Sequence, residues 1–253
     1  MKNIFKFLLF VTSIAFSQQK ERTLVWEENF DGNQLDTAVW NFELGNGCPH
    51  NCGWGNNELQ FYTDQNHRLE NGYLIITAKK ENGRVTSTRI TTQGKKEFKY
   101  GRIEARLDIP TGKGIWPAFW MLGSNIKEVG WPKSGEIDIM EYVGKLPKTI
   151  YNSIHTQSSH GNTINNAKAI FENVEEGFHT YAIDWTAEKI DFFVDDVLAY
   201  TYAPTDKTEA TWPFDQPFFV LINMAVGGNF GGPEVDESIY PSVYKIDYVK
   251  VWQ

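Results

Sequence analysis

Three carboxylates fall within six residues of the stretch SGEIDIMEYVG, Ser134 to Gly144: Glu136, Asp138 and Glu141. Two acids flanking a bond can perform glycoside chemistry, one attacking a carbon while the other donates and later removes a proton. A third acid between them can hydrogen-bond the attacker and help keep the outer pKa values apart. On a strand, Glu136 and Asp138 share one face and Ile137 and Ile139 the other. Unbroken alternation would bury Glu141, and an unpaired buried carboxylate costs several kcal/mol. A β-bulge near Ile139 and Met140 adds one residue and returns Glu141 to the acidic face. The two glutamates then stand about 13 Å apart at Cα. Side chains leaning together on a curved sheet can bring the carboxyls to ~5 to 5.5 Å, the separation of a retaining glycosidase. By spacing alone, a solvated acidic face or a calcium site fits equally well. Trp116, Trp120 and Trp131, just upstream, favour catalysis on a sugar.

The elements that must position these acids read as strands. In RIEARLDI, Ile103, Ala105, Leu107 and Ile109 alternate with Arg102, Glu104, Arg106 and Asp108, the pattern of a half-buried strand. GYLIITAK and TYAIDW read likewise, and KIDFFV pairs with VLAYTY across Asp195-Asp196 as a hairpin. The nearly all-apolar run Phe218 to Val226 suits a central strand covered on both sides, and YKIDYVKVW forms a last strand. Gly- and Pro-rich stretches such as PTGKG and GGNFGGP read as loops, and no long amphipathic helix is evident. The expectation is an all-β fold, an antiparallel β-sandwich.

Residues 1–17 have the layout of a secretory signal peptide: Lys2 and Lys6, the apolar run IFKFLLFVTSIAF, and small residues before Gln18. Residues 18–253 are then one catalytic domain of a secreted, extracellular or periplasmic protein. No later stretch looks membrane-spanning. The formal charge of −8 loses two further lysines with the leader and becomes −10, which disfavours nucleic acid as a partner. Nine Trp, 11 Tyr and 17 Phe exceed what a core of this size requires, leaving rings for a sugar platform. Cys48 and Cys52 read as a short-loop disulfide in an exported chain, ahead of free thiols or a metal site with His50.

GEIDIMEYVG resembles the signature of glycoside hydrolase family 16, and WGNNELQFYT, YGRIEARLDIPTGKGIWPAFWML and LINMAVGGNFGG resemble further segments of its laminarinase-like members. The similarity runs in order from about Leu24 to Trp252. It implies a concanavalin-like β-jelly-roll with a groove on its concave sheet, and endo-acting, retaining hydrolysis of β-glucan. It assigns Glu136 as nucleophile, Asp138 as its assisting acid and Glu141 as general acid/base, and the spacing matches the bulged branch of the family. Trp131 and Trp116 are expected in the groove, with Trp120 divided between groove and core. Trp26, Trp40, Trp185 and Trp252 are expected in the core. Substrate contacts are expected from Asn56, Glu58, Glu104, Arg106 and Asn223, with a surface ion ladder the alternative for Glu104 and Arg106; His155 is either a site residue that could approach Glu141 or a structural one.

Catalysis needs no cofactor on this reading. The resemblance implies a structural Ca2+ held by Asp247 and backbone oxygens at Asn29 and Gly72, although relatives commonly carry Glu where Asn29 stands. The expected function is a monomeric, secreted endo-1,3-β-glucanase acting on laminarin-like chains. Mixed-linkage glucan or an agar-type galactan is the alternative substrate, and a non-catalytic glucan-binding protein the alternative class.

Overall fold

The structure, a computed structural model, describes residues 22–253. The expected leader lies outside the described residues. Two antiparallel-rich sheets pack face to face, and helix is confined to short pieces such as Ile126–Val129 and Gly228–Gly231. Among the described residues no helix is long and apolar enough to cross a membrane.

One sheet runs in the order Asn166–Ile170, Thr149–His155, Glu136–Tyr142, Ile115–Gly123, Phe218–Val226, Arg89–Thr91 and Asn41–Phe42. We call it the site sheet. The opposing sheet is built around Phe178–Trp185, Gly101–Asp108, Ser242–Trp252 and Tyr73–Glu81. The expected hairpin is present: Ile190–Val194 pairs with Val197–Tyr202, and Asp195 and Asp196 both take positive φ (47° and 62°), as a tight hairpin turn demands.

Alternation decides what fills the space between the sheets. Ile103, Ala105, Leu107, Tyr181 and Ile183 from one sheet meet Phe119, Met121, Ile137, Val220, Ile222 and Met224 from the other. Trp40 and Trp185 join this core, Trp26 packs against it, and Trp252 is half-buried. Phe218–Val226 is buried along its whole length, as expected of a central strand covered on both sides.

The same alternation leaves a second set of side chains on the open face of the site sheet. There Trp116, Val143, Tyr151 and Ala225 form one small cluster with Phe230, while Leu122, Phe219 and Leu221 form another with Trp120 and Ile126. The start of the acidic strand is fixed by a close approach: a Cβ at Gly123 would fall 2.1 Å from the Ser134 carbonyl oxygen. Only glycine fits there.

Candidate active site

The acidic strand Glu136–Tyr142 carries the expected bulge. Asp138 lies opposite Ser153 and Glu141 opposite Tyr151, so three steps on one strand match two on its neighbour. The pairing with Ile115–Gly123 shifts at the same place, between Phe119 and Trp120. Ile139 and Met140 are both fully buried in the core, while Glu136 and Glu141 are half-buried on the open face. Asn152, itself buried, donates from Nδ2 to the Ile139 carbonyl at 2.7 Å. That bond occupies a carbonyl which the displaced ladder would otherwise strand.

Register places the open-face side chains in rows. Tyr151, Glu141, Ala118, Asn223 and Arg89 are neighbours across five strands. The next row holds Ser153, Asp138, Trp120, Leu221 and Thr91, and a third holds His155, Glu136, Leu122 and Phe219. Trp116 and Trp120 stand two residues either side of Ala118 on one strand, so Ala118 is the floor between two indoles.

Each glutamate accepts one indole N–H: Trp131 donates to Glu136 Oε2 at 2.9 Å, and Trp116 donates to Glu141 Oε1 at 3.0 Å. His155 Nε2 lies 3.1 Å from Asp138 Oδ2, a close contact without hydrogen-bond alignment, and 3.7 Å from Glu136 Oε1. It therefore sits beside Asp138 and Glu136, the residue with which register pairs it, and its charge also reaches Glu141. Burial, followed by the Asp138 charge, pushes the Glu136 carboxyl up to about 8, and the same causes raise Glu141 well above its ordinary range. Burial alone would lower His155, but Asp138, Glu136 and Glu141 together push it up to about 9. The cluster is a proton-holding site in which Glu136 has an imidazolium at its side.

A second constellation adjoins the first. Glu58 accepts from Asn56 Nδ2 (3.2 Å), Gln60 Nε2 (2.6 Å) and the Tyr62 hydroxyl (3.2 Å), and burial raises its pKa despite nearby Arg89. Trp120 donates to Asn223 Oδ1 at 2.7 Å. The predicted residues Asn56, Glu58, Trp120 and Asn223 are thus brought together.

Sequence reasoning missed several partners. Arg89 stands opposite Asn223, pairs with Glu43, and lies over the rings of Trp54 and Trp120. Phe230 meets Trp116 and Tyr151 edge-on, and His160 meets Trp131 edge-on. The expected Cys48–Cys52 disulfide, by contrast, is present, at the base of the loop that carries Trp54.

Glu104 and Arg106 are not at the site. Their strand, Gly101–Asp108, belongs to the opposing sheet, and their side chains lie on its outer face. There Glu104 binds Arg102 and Tyr248, and Arg106 binds Asp247 while lying over Phe178. The alternation was correct; sheet membership was not encoded in it. The surface ion ladder replaces the expected sugar contacts.

Asn29 and Gly72 flank one short interval of that sheet. Glu28 pairs with Val249 and Leu74 with Ile246, so the two chain segments converge beside Asp247 and Tyr248, where the ladder is irregular. Two backbone oxygens and a carboxylate are the hard donors that Ca2+ takes, but the Asp247 carboxylate is already bound by Arg106.

Comparison with known proteins agrees with this geometry. The model of Glycosyl hydrolases family 16 matches residues 50–250. The crystal structure of laminarinase from Flavobacterium sp. UMI-01 is similar at 68% identity and a TM-score of 0.90, covering 91% of this chain and 100% of that one. The beta-glucanase of Rhodothermus marinus is 40% identical over 91% of this chain and 85% of its own length. The glucan endo-1,3-beta-glucosidase of Cryptopygus antarcticus is 36% identical over 99% of this chain and 98% of its own. With the match spanning most of its length and the acidic strand at its centre, the chain belongs to glycoside hydrolase family 16.

Proposed function

We propose that the protein is a secreted endo-1,3-β-glucanase, a laminarinase, that cuts laminarin-like chains by retaining double displacement. The observation that carries this is the bulged acidic strand, which puts Glu136 and Glu141 on one face, each held by an indole N–H, with Asp138 between them. Glu136 attacks the anomeric carbon while Glu141 gives its proton to the departing glycosidic oxygen. Glu141 then takes a proton from water, which releases the sugar from Glu136. The Trp131 N–H and nearby His155 stabilise the charged form of Glu136, and burial favours the protonated form of Glu141. Asp138 lies between the two glutamates, and its charge helps hold both of their pKa values up.

Neutral glucan suits a chain of formal charge −8 and a site floored by Ala118 between two indoles. Action outside the cytoplasm is supported by the leader-like residues 1–17 and by the Cys48–Cys52 disulfide, which oxidising compartments favour. The likeness to a laminarinase, a beta-glucanase and a glucan endo-1,3-beta-glucosidase supports the substrate class.

Reducing-sugar release from laminarin, lichenan and agarose tests this reading, comparing the native protein with Glu136→Ser. Cleavage of laminarin that disappears in the variant is the expected result. Preferential cleavage of lichenan or agarose would move the substrate, and laminarin binding without any cleavage would make the protein a glucan-binding one.

A further inference from the structure

Trp120 stands beside Asp138 on the open face, and a run of polar side chains holds its indole. Its Nε1–H donates to Asn223 Oδ1 at 2.7 Å; Asn223 Nδ2 donates to the Tyr62 hydroxyl at 3.0 Å; Tyr62 donates to Glu58 Oε2 at 3.2 Å. Every hydrogen in the run points the same way, toward one carboxylate. Such a chain polarises along its length and is strongest when it ends on a charge. Asn223 and Tyr62 are 5% and 1% exposed, so water is kept from replacing a missing link.

Glu58 has little left to offer a sugar. Oε1 accepts from Asn56, and Oε2 accepts from Gln60 as well as Tyr62. Arg89, which would otherwise compete for this carboxylate, is held by Glu43 and lies with its guanidinium carbon 4.6 Å from the Trp54 ring and 4.8 Å from the Trp120 ring. The Trp120 ring is thus fixed at its N–H by the chain and on one side by a cation.

We propose that Glu58 is a positioning residue: it terminates a one-way hydrogen-bond chain through Tyr62 and Asn223 that sets the Trp120 indole as a sugar-facing ring, and does not itself bind the glucan. The proposal deepens, and rests on, the glucanase reading. It also moves Asn223 from substrate contact to support, because both ends of its amide are occupied within the chain.

Glu58→Gln keeps the shape but leaves one acceptor oxygen, so its NH2 must face a donor on one side or the other. Tyr62→Phe removes a single oxygen and cuts the chain in the middle. Both variants, Trp120→Phe and the pairwise combinations are assayed on laminarin, with the indole N–H resonances recorded on protein labelled with 15N at tryptophan. Each of Glu58→Gln and Tyr62→Phe should raise KM about tenfold, the scale of one lost hydrogen bond to a charged or buried partner, with kcat changed less than about threefold. Both should shift the Trp120 indole resonance, and neither should add more than about twofold in the Trp120→Phe background, since coupled residues are not additive.

An unchanged Trp120 resonance and KM in Tyr62→Phe would overturn the proposal. Full multiplication of the Glu58→Gln and Trp120→Phe effects would overturn it too, by making Glu58 an independent sugar contact. If the native protein does not cut laminarin, the glucanase reading fails, and the indole resonances still decide whether the chain positions Trp120. Should Glu58→Gln fail to fold, Tyr62→Phe carries the same test alone.

Discussion

Glu136 keeps its place by two contacts of different kinds, a neutral donor from Trp131 and a cation from His155. Trp131→Phe keeps the ring and loses the donor, so kcat on laminarin should fall roughly tenfold to hundredfold, the worth of a hydrogen bond to a charged group, while circular dichroism stays unchanged. The cluster also sets a pH dependence of stability. Glu136 is raised from 4.5 to about 8 and His155 from 6.5 to about 9, so the folded state binds more protons than the unfolded chain. Their stabilisation is complete below the unfolded values and is lost as pH rises, through about 8 for Glu136 and about 9 for His155. The melting temperature should therefore fall between pH 5 and 9, and Glu136→Gln should flatten the part of that fall below pH 8. Glu136, Asp138 and Glu141 were legible because only a carboxylate cluster on one strand face explains their types. Arg89 and Glu43 were not, since each is an ordinary charged residue until register sets Arg89 against Asn223.

The bulge is the element that makes the site, and Asn152 is its clasp. Asn152→Leu leaves the Ile139 carbonyl unpaired in the core, which should cost about 1–3 kcal/mol. For a chain of this length that lowers the melting temperature by several degrees in a thermal scan, with kcat reduced more than KM because Glu141 loses its fixed orientation. The changed step between Asp138 and Glu141 announced this bulge in the sequence, and period two announced the strands. What period two does not carry is a strand's partner. Gly101–Asp108 alternates as cleanly as any strand here, yet Glu104 and Arg106 lie on the outer face of the opposing sheet. Trp54 escaped notice for a different reason: it sits at positive φ (51°) in an irregular loop, where no periodicity operates.

Across the whole molecule, the two sheets divide labour, one holding the acids and the other a ladder of ion pairs ending at Asp247 and Arg106. Calcium bound at Asn29, Gly72 and Asp247 would stabilise the fold by mass action. Added Ca2+ should then raise the melting temperature by a few degrees, chelator should reverse it, and Asp247→Asn should abolish the response without lowering kcat. Absence of any response in the native protein would leave Asp247 as the partner of Arg106 alone. The fold class was readable from strand number and turn chemistry, while this convergence of three distant segments depends on pairings 28 to 249 and 74 to 246 that local sequence does not specify. The bulge also bears on descent. Removing Ile139 or Met140 would make the step from Asp138 to Glu141 even and match the two steps on Thr149–His155, leaving every remaining side chain of the strand on its present face. A one-residue loss or gain elsewhere in the strand would turn everything beyond it inside out. The Ile139–Met140 pair is thus the place in this strand where a single codon could be lost without scrambling the catalytic face.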